Sequence, residues 1–291
     1  MNPLTRVAID TDQEAIEALY QEWGHAYGKS RNDFYLVAER DSELLGAINL
    51  AFEEPVFVIR SLYVRENCRG EGIATALLQA VVQELGIAEA FCLCFEGQQA
   101  IGEKIGMQKI AGLTAPTFLR ERFERIKESE PNVILMRRVS EIEVRPIQVA
   151  DVGQAISLID EFQLPETNNL SENDIRSIYS KIIGSGGVVL GAFRSSKLVG
   201  TCTLNVCANL SWSGRPFGII ENIIVSKEER NRGIGKNLLL VASRTAVSKN
   251  CYKIALMTQQ RTTAVEAFYK SAGFNDHKAG YQIRFDARLA I

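Results

Sequence analysis

The feature that most constrains this chain is an internal repeat. Residues 64–78 read VRENCRGEGIATALL and residues 225–239 read VSKEERNRGIGKNLL, and the two segments align without a gap at an offset of 161 residues. Upstream, AERDSELLGAINL (38–50) resembles AFRSSKLVGTCTL (192–204), and downstream, EKIGM (103–107) resembles KSAGF (270–274). Three matches in the same order indicate a duplicated unit, so we expect two copies of one fold.

The length agrees with two domains, because 291 residues correspond to roughly two domains of about 150 residues. Hydrophobic residues make up 46% and charged residues 23%, which is typical of a folded globular protein. We place the boundary near Ser140 and Glu141, giving domains 1–140 and 141–291. No low-complexity linker marks this boundary, so we expect the two units to pack closely.

The net charge and the cysteine and histidine content argue against several classes of function. The net charge is -2 and neither half is strongly basic, which argues against a nucleic-acid partner. The sequence predicts no signal layout and no membrane-spanning run. The six cysteines lack a CxxC pair, and reduced thiols in a cytoplasmic protein are the simplest interpretation. With only His25 and His277, we expect neither a histidine-based metal site nor a histidine-dependent triad.

The hydrophobic pattern predicts an α/β fold in which strands and amphipathic helices follow the same plan twice. In the first unit, residues 72–85 form a predicted helix with Leu77, Leu78, Val81 and Leu85 on one face. In the second unit, Ser171 and Asp174 resemble a capping box that opens another helix. A strand over Tyr281–Arg284 is predicted to close the second sheet.

The motif that carries chemistry is Arg-x-x-Gly-x-(Gly/Ala), placed between an apolar strand and an amphipathic helix. It reads Arg69, Gly72, Ala74 in the first unit and Arg230, Gly233, Gly235 in the second. Small residues let a ligand approach the backbone, and the first N–H groups of a helix favour an anion such as pyrophosphate. A single copy is more often an ordinary helix start, but two copies in the same context favour a binding site. Neither copy has the third glycine of a dinucleotide fingerprint, and no P-loop motif is present.

The order of these motifs resembles the GNAT superfamily of N-acetyltransferases. The second unit carries the resemblance most clearly in IIENIIVSKEERNRGIGKNLL, NCYKIALM and AFYKSAGF, and the resemblance covers almost all of residues 141–291. The first unit matches the same plan more loosely and reads as a degenerate copy. The resemblance implies two domains, each with a mixed, mostly antiparallel central sheet, flanking helices and one parallel strand pair that splays apart.

The resemblance also implies a co-substrate, acetyl-coenzyme A. Its pyrophosphate would lie on the turn, and its pantetheine arm would lie between the strands 220–225 and 254–257. The residues implied in the second unit are Ile223, Ile224, Val225, Arg230, Asn231, Arg232, Gly233, Ile234, Gly235 and Lys236. Their counterparts, a second candidate coenzyme site, are Val64, Arg69, Gly70, Glu71, Gly72, Ile73, Ala74 and Thr75.

A tyrosine four residues before the last glycine often sits beside the coenzyme sulfur in this family. Tyr269 has this position in the second unit, whereas the first unit has Gly102. Three catalytic roles are implied: Tyr269 donates to the leaving thiolate, the backbone N–H of Ile223 stabilises the oxyanion, and Glu221 accepts the amine proton. We expect Glu221 on the same face as Ile223, because alternate residues of a strand share a face. A carboxylate that only contacts substrate is an equally good interpretation of Glu221.

The expected activity is transfer of an acetyl group to a primary amine of a small molecule, by direct attack in a ternary complex. The segment 207–217, with Trp212 and Arg215, is a candidate loop beside the acceptor. Two alternatives stay open: acetylation of a protein or peptide amine, and a non-catalytic acyl-coenzyme A sensor or scaffold. The sequence does not determine the acceptor's identity or the oligomeric state.

Overall fold

The first unit is built on a sheet of seven strands. The computed structural model describes residues 3–24, 33–53, 56–161, 170–258 and 262–275. The strands of the first unit are β1 (Leu4–Val7), β2 (Tyr35–Arg40), β3 (Glu43–Glu53), β4 (Val56–Val64), β5 (Ala90–Phe95), β6 (Met107–Lys109) and β7 (Val133–Arg138). Its helices are α1 (Gln13–Glu22), α2 (Ile73–Leu85), α3 (Gln99–Glu103) and α4 (Thr117–Ser129). The strand order in this sheet is β1-β2-β3-β4-β5-β7-β6.

The second unit repeats the plan with five strands among the described residues. They are β8 (Ile142–Pro146), β9 (Val188–Arg194), β10 (Lys197–Cys207), β11 (Phe217–Val225) and β12 (Ile254–Leu256), in the order β12-β11-β10-β9-β8. The helices are α5 (Val152–Asp160), α6 (Glu172–Gly184), α7 (Ile234–Ser248) and α8 (Thr263–Ser271). The strand predicted over Tyr281–Arg284 lies outside the described residues, as do His25 and His277.

Both sheets have the strand directions that the resemblance implied. Neighbouring strands are antiparallel, except that β4 pairs with β5 and β11 pairs with β12 in parallel. The two-domain, mixed α/β fold is therefore confirmed. The first sheet ends with β7 at Arg138 and the second begins with β8 at Ile142, while the exact domain limits, 1–140 and 141–291, stay a prediction.

Local sequence explains the helices that support each site. On α2, Leu77, Leu78, Val81 and Leu85 are all buried, as the helical spacing predicted. On α6, the hydroxyl of Ser171 accepts a hydrogen bond from the backbone N–H of Asp174 at 3.2 Å, and the Asp174 carboxylate accepts one from the Ser171 N–H at the same distance. This reciprocal arrangement is the predicted capping box, and it satisfies N–H groups at the start of α6.

The two units share an apolar core. One cluster of buried side chains contains residues of α2 and of α7, together with strands of both sheets. At its edge, Ile87 of the first unit lies within about 3.4 Å of the position where a Cβ on Gly233 would stand. The guanidinium carbon of Arg244 on α7 lies 3.7 Å from the centre of the Phe34 ring, and burial lowers the pKa of Arg244 to about 10. Close packing of the units, predicted from the missing linker, is what the structure shows.

Each unit begins with the same arginine–aspartate ion pair, which joins its first strand to the entry of its first helix. Arg6 of β1 contacts Asp12 at 2.6 Å, and Arg145 of β8 contacts Asp151 at 2.7 Å, in each case six residues apart. The same aspartates accept backbone N–H groups at the helix entry, from Ile9 at 2.7 Å and from Gln148 at 2.9 Å. The hydrogen bond from Arg145 is the main cause that lowers the pKa of Asp151 below its ordinary value.

Replacing Asp151 with asparagine is expected to lower Tm at pH 7 by roughly 2–6 °C, the scale of one lost charge-assisted hydrogen bond in a chain of this size. Because the pKa of Asp151 is lowered on folding, its stabilisation is complete above the unfolded pKa near 4 and disappears as the pH falls through the folded pKa. Thermal unfolding at pH 7 and pH 3.5 measures this. The Tm difference between wild type and Asp151→Asn should shrink at pH 3.5, and a difference that grows there would contradict the assignment. Asp41→Asn, at an exposed turn, is the matched control and should change Tm little.

Candidate functional site

The turn between β11 and α7 has the same backbone shape as its counterpart between β4 and α2. Asn231 and Gly233 have positive φ of 61° and 81°, and Gly70 and Gly72 have 86° and 83° at the equivalent positions. Left-handed backbone of this kind suits glycine and is tolerated by asparagine, which explains the residue types at these positions. The two turns therefore lead into α7 and α2 with the same backbone geometry.

The arginine of the motif holds the turn against the preceding strand. Arg230 Nε donates to the carbonyl oxygen of Val225 at 3.2 Å, and Arg69 Nε donates to that of Val64 at 3.3 Å. Both contacts span five residues and close the turn on itself. One nitrogen of each arginine is thus used to shape the turn, a role that the sequence pattern alone did not assign.

The helix start has the properties of an anion site. Gly233 is the residue before α7, and Ile234, Gly235 and Lys236 supply its first turn. N–H groups of a first helical turn have no carbonyl partner four residues back, and the helix dipole is positive at this end. A Cβ on Gly235 would lie 3.1 Å from the Phe268 ring, so α8 packs directly on this first turn. In the first unit, Ile73, Ala74 and Thr75 occupy the same positions on α2.

A β-bulge interrupts β11 just before the turn. Thr201 pairs with Ile224 and Thr203 pairs with Glu221, so two residues of β11 stand opposite Cys202 alone. Asn222 has a φ of 52°, which is the left-handed backbone of the extra residue. The first unit has the same bulge, with Ser61 at a φ of 54° on β4. Sequence reasoning missed this bulge, although asparagine in a strand of β-branched residues was a signal for it.

The bulge changes which side chains of β11 share a face. Ile220, Ile223 and Val225 pack on the core cluster shared by both units, whereas Ile224 packs on the cluster of α5 and α6. Regular alternation is therefore broken between Ile220 and Ile223. The argument that Glu221 shares the face of Ile223 because it lies two residues earlier is wrong, since it assumed an unbroken strand. Glu221 is exposed beside the bulge, and its catalytic role remains a proposal.

Pairing between the two parallel strands of each sheet is short. Among the described residues, β11 pairs with β12 through Gly218 to Ile220, and β4 pairs with β5 through Phe57 to Ile59, in each case ending before the bulge. β11 continues five residues past this pairing, to Val225. Of the predicted range 254–257, Met257 lies outside β12 and is exposed.

Tyr269 lies on α8, which packs against the start of α7. Its ring is half-buried, with ring centres 4.9 Å from Phe268 and 6.1 Å from Phe274. Burial is the main cause that raises the pKa of Tyr269, and the neighbouring Cys202 thiol adds to it. Cys202 is the residue opposite the bulge, and burial raises its pKa to about 12. The phenol is therefore close to the bulge and stays protonated at neutral pH.

A side chain at the equivalent place in the first unit would press on Met136. A Cβ on Gly102 would lie 3.0 Å from the sulfur of Met136, a side chain that is fully buried. The Cys94 sulfur lies 3.5 Å from the same Met136 sulfur. Met136 thus fills the space beside α3, and the difference between Gly102 and Tyr269 that was visible in the sequence has a packing counterpart.

The candidate acceptor loop is tied to the segment before β12. Arg215 donates to the side-chain oxygen of Asn250 at 3.1 Å and to the carbonyl oxygen of Cys251 at 3.2 Å. Trp212 stacks on Tyr252 with ring centres 5.0 Å apart and is 64% exposed. Arg215 is therefore used to hold the loop, while Trp212 presents an accessible ring.

The described residues lack a metal-binding cluster and a membrane-spanning helix. No group of three or more His, Cys, Asp or Glu side chains in this part of the chain could hold a metal ion. Among the same residues, no helix is both long and apolar enough to cross a bilayer. All six cysteines are free thiols.

The fold and its two strand–turn–helix segments define a duplicated α/β transferase. Residues 5–99 and 156–274 match the model of the acetyltransferase (GNAT) family. The chain belongs to this family, with one family region in each unit, and it is an N-acetyltransferase. The resemblance inferred from the sequence is thereby confirmed.

Individual relatives match one half of the chain at a time. A glucosamine 6-phosphate N-acetyltransferase from Trypanosoma brucei brucei is 27% identical over 154 residues, which is 52% of this chain and 99% of the relative. A solved structure of a proposed acetyltransferase from Agrobacterium tumefaciens is 31% identical, with a TM-score of 0.46, and covers 49% of this chain and 99% of its own. An acetyltransferase structure from Trypanosoma brucei is 26% identical, with a TM-score of 0.44 and coverages of 50% and 99%.

Proposed function

We propose that the second unit transfers an acetyl group from acetyl-coenzyme A to a primary amine of a small molecule, by direct attack within a ternary complex. The observation that carries this proposal is the position of Tyr269, on a helix that packs through Phe268 against Gly235 at the start of α7. A proton donor and an anion site thus lie beside one another in the second unit. The name of the Trypanosoma relative, a glucosamine 6-phosphate N-acetyltransferase, supports a small amine as acceptor.

The residues present fit the co-substrate at two points. The first-turn N–H groups of α7 and the Lys236 ammonium would hold the pyrophosphate, because the small residues Gly233 and Gly235 leave the backbone accessible. The edge of β11 beyond Ile220 would take the extended pantetheine arm, since its N–H and carbonyl groups on the β12 side have no partner strand among the described residues. These assignments extend from Ile223 to Val225 on the strand and from Arg230 to Lys236 on the turn.

Three groups would then act on the reacting atoms. The backbone N–H of Ile223, released from regular pairing by the bulge, would donate to the oxygen that becomes negative as the amine attacks. Tyr269 would donate to the thiolate as it departs, because its raised pKa keeps the proton on the phenol. The exposed Glu221 carboxylate would take the amine proton through water or orient the amine as a substrate contact.

For the first unit we infer a binding or structural role without acetyl transfer. It keeps the turn from Arg69 to Gly72, so a second coenzyme can be accommodated at α2. It has Gly102 in place of the phenol, and Met136 fills the neighbouring space. This makes 141–291 the catalytic domain and 1–140 the degenerate one.

The proposed activity is tested by thiol release from acetyl-coenzyme A with a panel of acceptors. We expect at least one small amine, such as an amino sugar or an aminoglycoside, to give a kcat/KM at least about tenfold above that of any peptide amine, a preference worth about 1.4 kcal/mol. A faster reaction with a lysine peptide or a peptide N-terminus would favour the protein-directed alternative. Coenzyme binding without thiol release for every acceptor would favour the sensor or scaffold.

A further inference from the structure

The turn that joins α2 to β5 in the first unit, residues 86–89, is held in a fixed shape. The backbone N–H of Gly86 donates to the carbonyl oxygen of Val82 at 2.9 Å, and that of Ala88 donates to the carbonyl oxygen of Leu85 at 2.9 Å. Gly86 has a φ of 55°, a conformation that glycine adopts readily where a helix ends. This α2–β5 turn is therefore a defined element that can present a side chain to a neighbour.

An arginine of β7 holds the α2–β5 turn to the first sheet. Arg138 donates from its two terminal nitrogens to the carbonyl oxygens of Gly86 and Ala88, both at 2.7 Å, and these two residues flank Ile87. A guanidinium presents its donors in a planar, rigid fork, so the two bonds fix the backbone on both sides of Ile87. The cation is also favourable at this place, because it lies at the C-terminal end of α2.

The side chain of Ile87 lies against the proposed coenzyme turn of the second unit. Its Cγ2 atom is 3.4 Å, and its Cγ1 and Cδ1 atoms are 3.9 Å, from the position where a Cβ on Gly233 would stand. Gly233 is the residue before α7, the helix whose first N–H groups form the proposed anion site. Ile87 is half-buried and also packs on the core that the units share. A side chain anchored in the first unit thus covers the face of Gly233 that has no side chain of its own.

The counterpart turn of the first unit has no such contact. Gly72 has nearly the same φ as Gly233, but among the described residues no atom from another part of the chain lies within 4 Å of the equivalent position. The contact is therefore a difference between the units and not a general property of the fold. It occurs at the turn of the unit that has Tyr269 and is absent from the turn of the unit that has Gly102.

Restriction of Gly233 has a direct consequence for an anion site. Glycine populates positive and negative φ with similar ease, and the neighbouring Asn231 also has left-handed backbone, with a φ of 61°. If the turn must be ordered when the ligand binds, the free energy of ordering is subtracted from the binding free energy. A contact that limits Gly233 to one conformation therefore improves the affinity for an anion at the start of α7.

We propose that Ile87, held by Arg138, is a positioning residue that the first unit supplies to the coenzyme turn of the second. It keeps Gly233 in the conformation that aligns the first N–H groups of α7 with the pyrophosphate of acetyl-coenzyme A. Because this role rests on the proposed coenzyme site, it concerns coenzyme binding and not the chemical step. The unit without the phenol thereby takes part in the reaction of the other unit.

Calorimetry with coenzyme A on the full chain tests this role in Ile87→Ala, which removes the three atoms that face Gly233. We expect the Kd of the site that Gly233→Val removes to rise about fivefold, equivalent to about 1 kcal/mol. Ile87→Val keeps both branches at Cβ and should stay within about twofold of wild type. In steady-state thiol release, KM for acetyl-coenzyme A should rise in Ile87→Ala by the same factor as Kd, while kcat stays unchanged.

Arg138→Met tests the second part of the proposal, because it removes both donors and keeps an unbranched side chain. We expect Kd to rise about threefold or more, since Ile87 is no longer held in place. The double variant of Ile87→Ala with Arg138→Met should bind within about twofold of the weaker-binding single variant, because two residues that act as one unit are not additive. Fully additive losses would overturn the role given to Arg138.

Ile126→Ala is the matched control. Ile126 is also half-buried, but it packs on a cluster formed by the first unit alone. Its Tm should fall about as far as that of Ile87→Ala, while Kd for coenzyme A stays at the wild-type value. A wild-type Kd in Ile87→Ala, or an equal loss of affinity in Ile126→Ala, overturns the proposal. Unchanged binding in Gly233→Val would instead refute the coenzyme site itself, so the two failures are distinguishable.

Discussion

Tyr269→Phe is expected to lower kcat by roughly tenfold to a thousandfold, the range for loss of one acid or hydrogen-bond donor in a transition state. The substitution keeps the ring, so its packing with Phe268 and Phe274 is retained. Coenzyme affinity should change little, because the phenol acts on the departing sulfur and not on the bound pyrophosphate. Steady-state thiol release and calorimetric binding of coenzyme A measure the two quantities separately.

The pH dependence adds an independent readout. Burial raises the pKa of Tyr269 above its ordinary value of 10.0, so the phenol keeps its proton throughout the range in which a typical amine loses its own. The rate in wild type should therefore rise with pH as the amine becomes neutral, without a decline from Tyr269 below about pH 10. A rate that declined well below pH 10 would contradict Tyr269 as the protonated donor.

Tyr179→Phe is the matched control for this variant. Tyr179 is also half-buried, and its hydroxyl donates to the carbonyl oxygen of Ile147 at 2.7 Å, far in sequence from the motif. Its loss should lower stability by about 1 kcal/mol and leave kcat unchanged. In the first unit, Arg69→Ala should leave kcat nearly intact. Wild-type activity in Tyr269→Phe together with lost activity in Arg69→Ala would move the catalytic site to residues 1–140.

Gly233→Val is expected to weaken coenzyme binding by at least about a hundredfold, equivalent to about 2.7 kcal/mol. Gly233 has a φ of 81°, where a β-branched residue is strained, and a side chain there would meet Ile87 at 3.4 Å. Both effects distort the turn that presents the first N–H groups of α7. Calorimetry with coenzyme A measures this effect directly. Tm should also fall, because the strain is present without ligand.

Gly72→Val separates strain from binding, since Gly72 has nearly the same φ, 83°, in the first unit. Gly72→Val should lose stability through backbone strain alone, because a Cβ there meets open space, whereas Gly233→Val also presses on Ile87 and should lose more. Only Gly233→Val should abolish turnover. If calorimetry finds two sites in wild type, each variant should remove one. Unchanged coenzyme binding in Gly233→Val would show that the turn after β11 is not the coenzyme site.

Contacts between the units connect the first domain to the coenzyme turn and to α7 of the second. Ile87 lies against Gly233 at the coenzyme turn, and Arg244 of α7 lies on the Phe34 ring. The first unit thus packs against the helix that begins at the proposed anion site. This arrangement explains how a domain without the phenol can still matter for activity through packing.

The sequence by itself determined the duplication, the two turns and the difference between Tyr269 and Gly102. These features are local, because they depend on glycine positions, helical spacing and the order of short motifs along the chain. The buried face of α2 and the capping box at Ser171 were predicted for the same reason. Each reflects interactions within about four residues, which a single sequence records directly.

The tertiary structure alone decided the features that depend on a partner strand or on the other unit. The bulge at Asn222 exists only relative to the register of β10, and it moves Glu221 off the face that unbroken alternation assigned to it. The contact of Ile87 with Gly233 joins residues that are more than a hundred positions apart in the chain. Periodicity in the sequence records which face of an element is buried, but the element that covers it, and the space left between them, are set by packing of the two units.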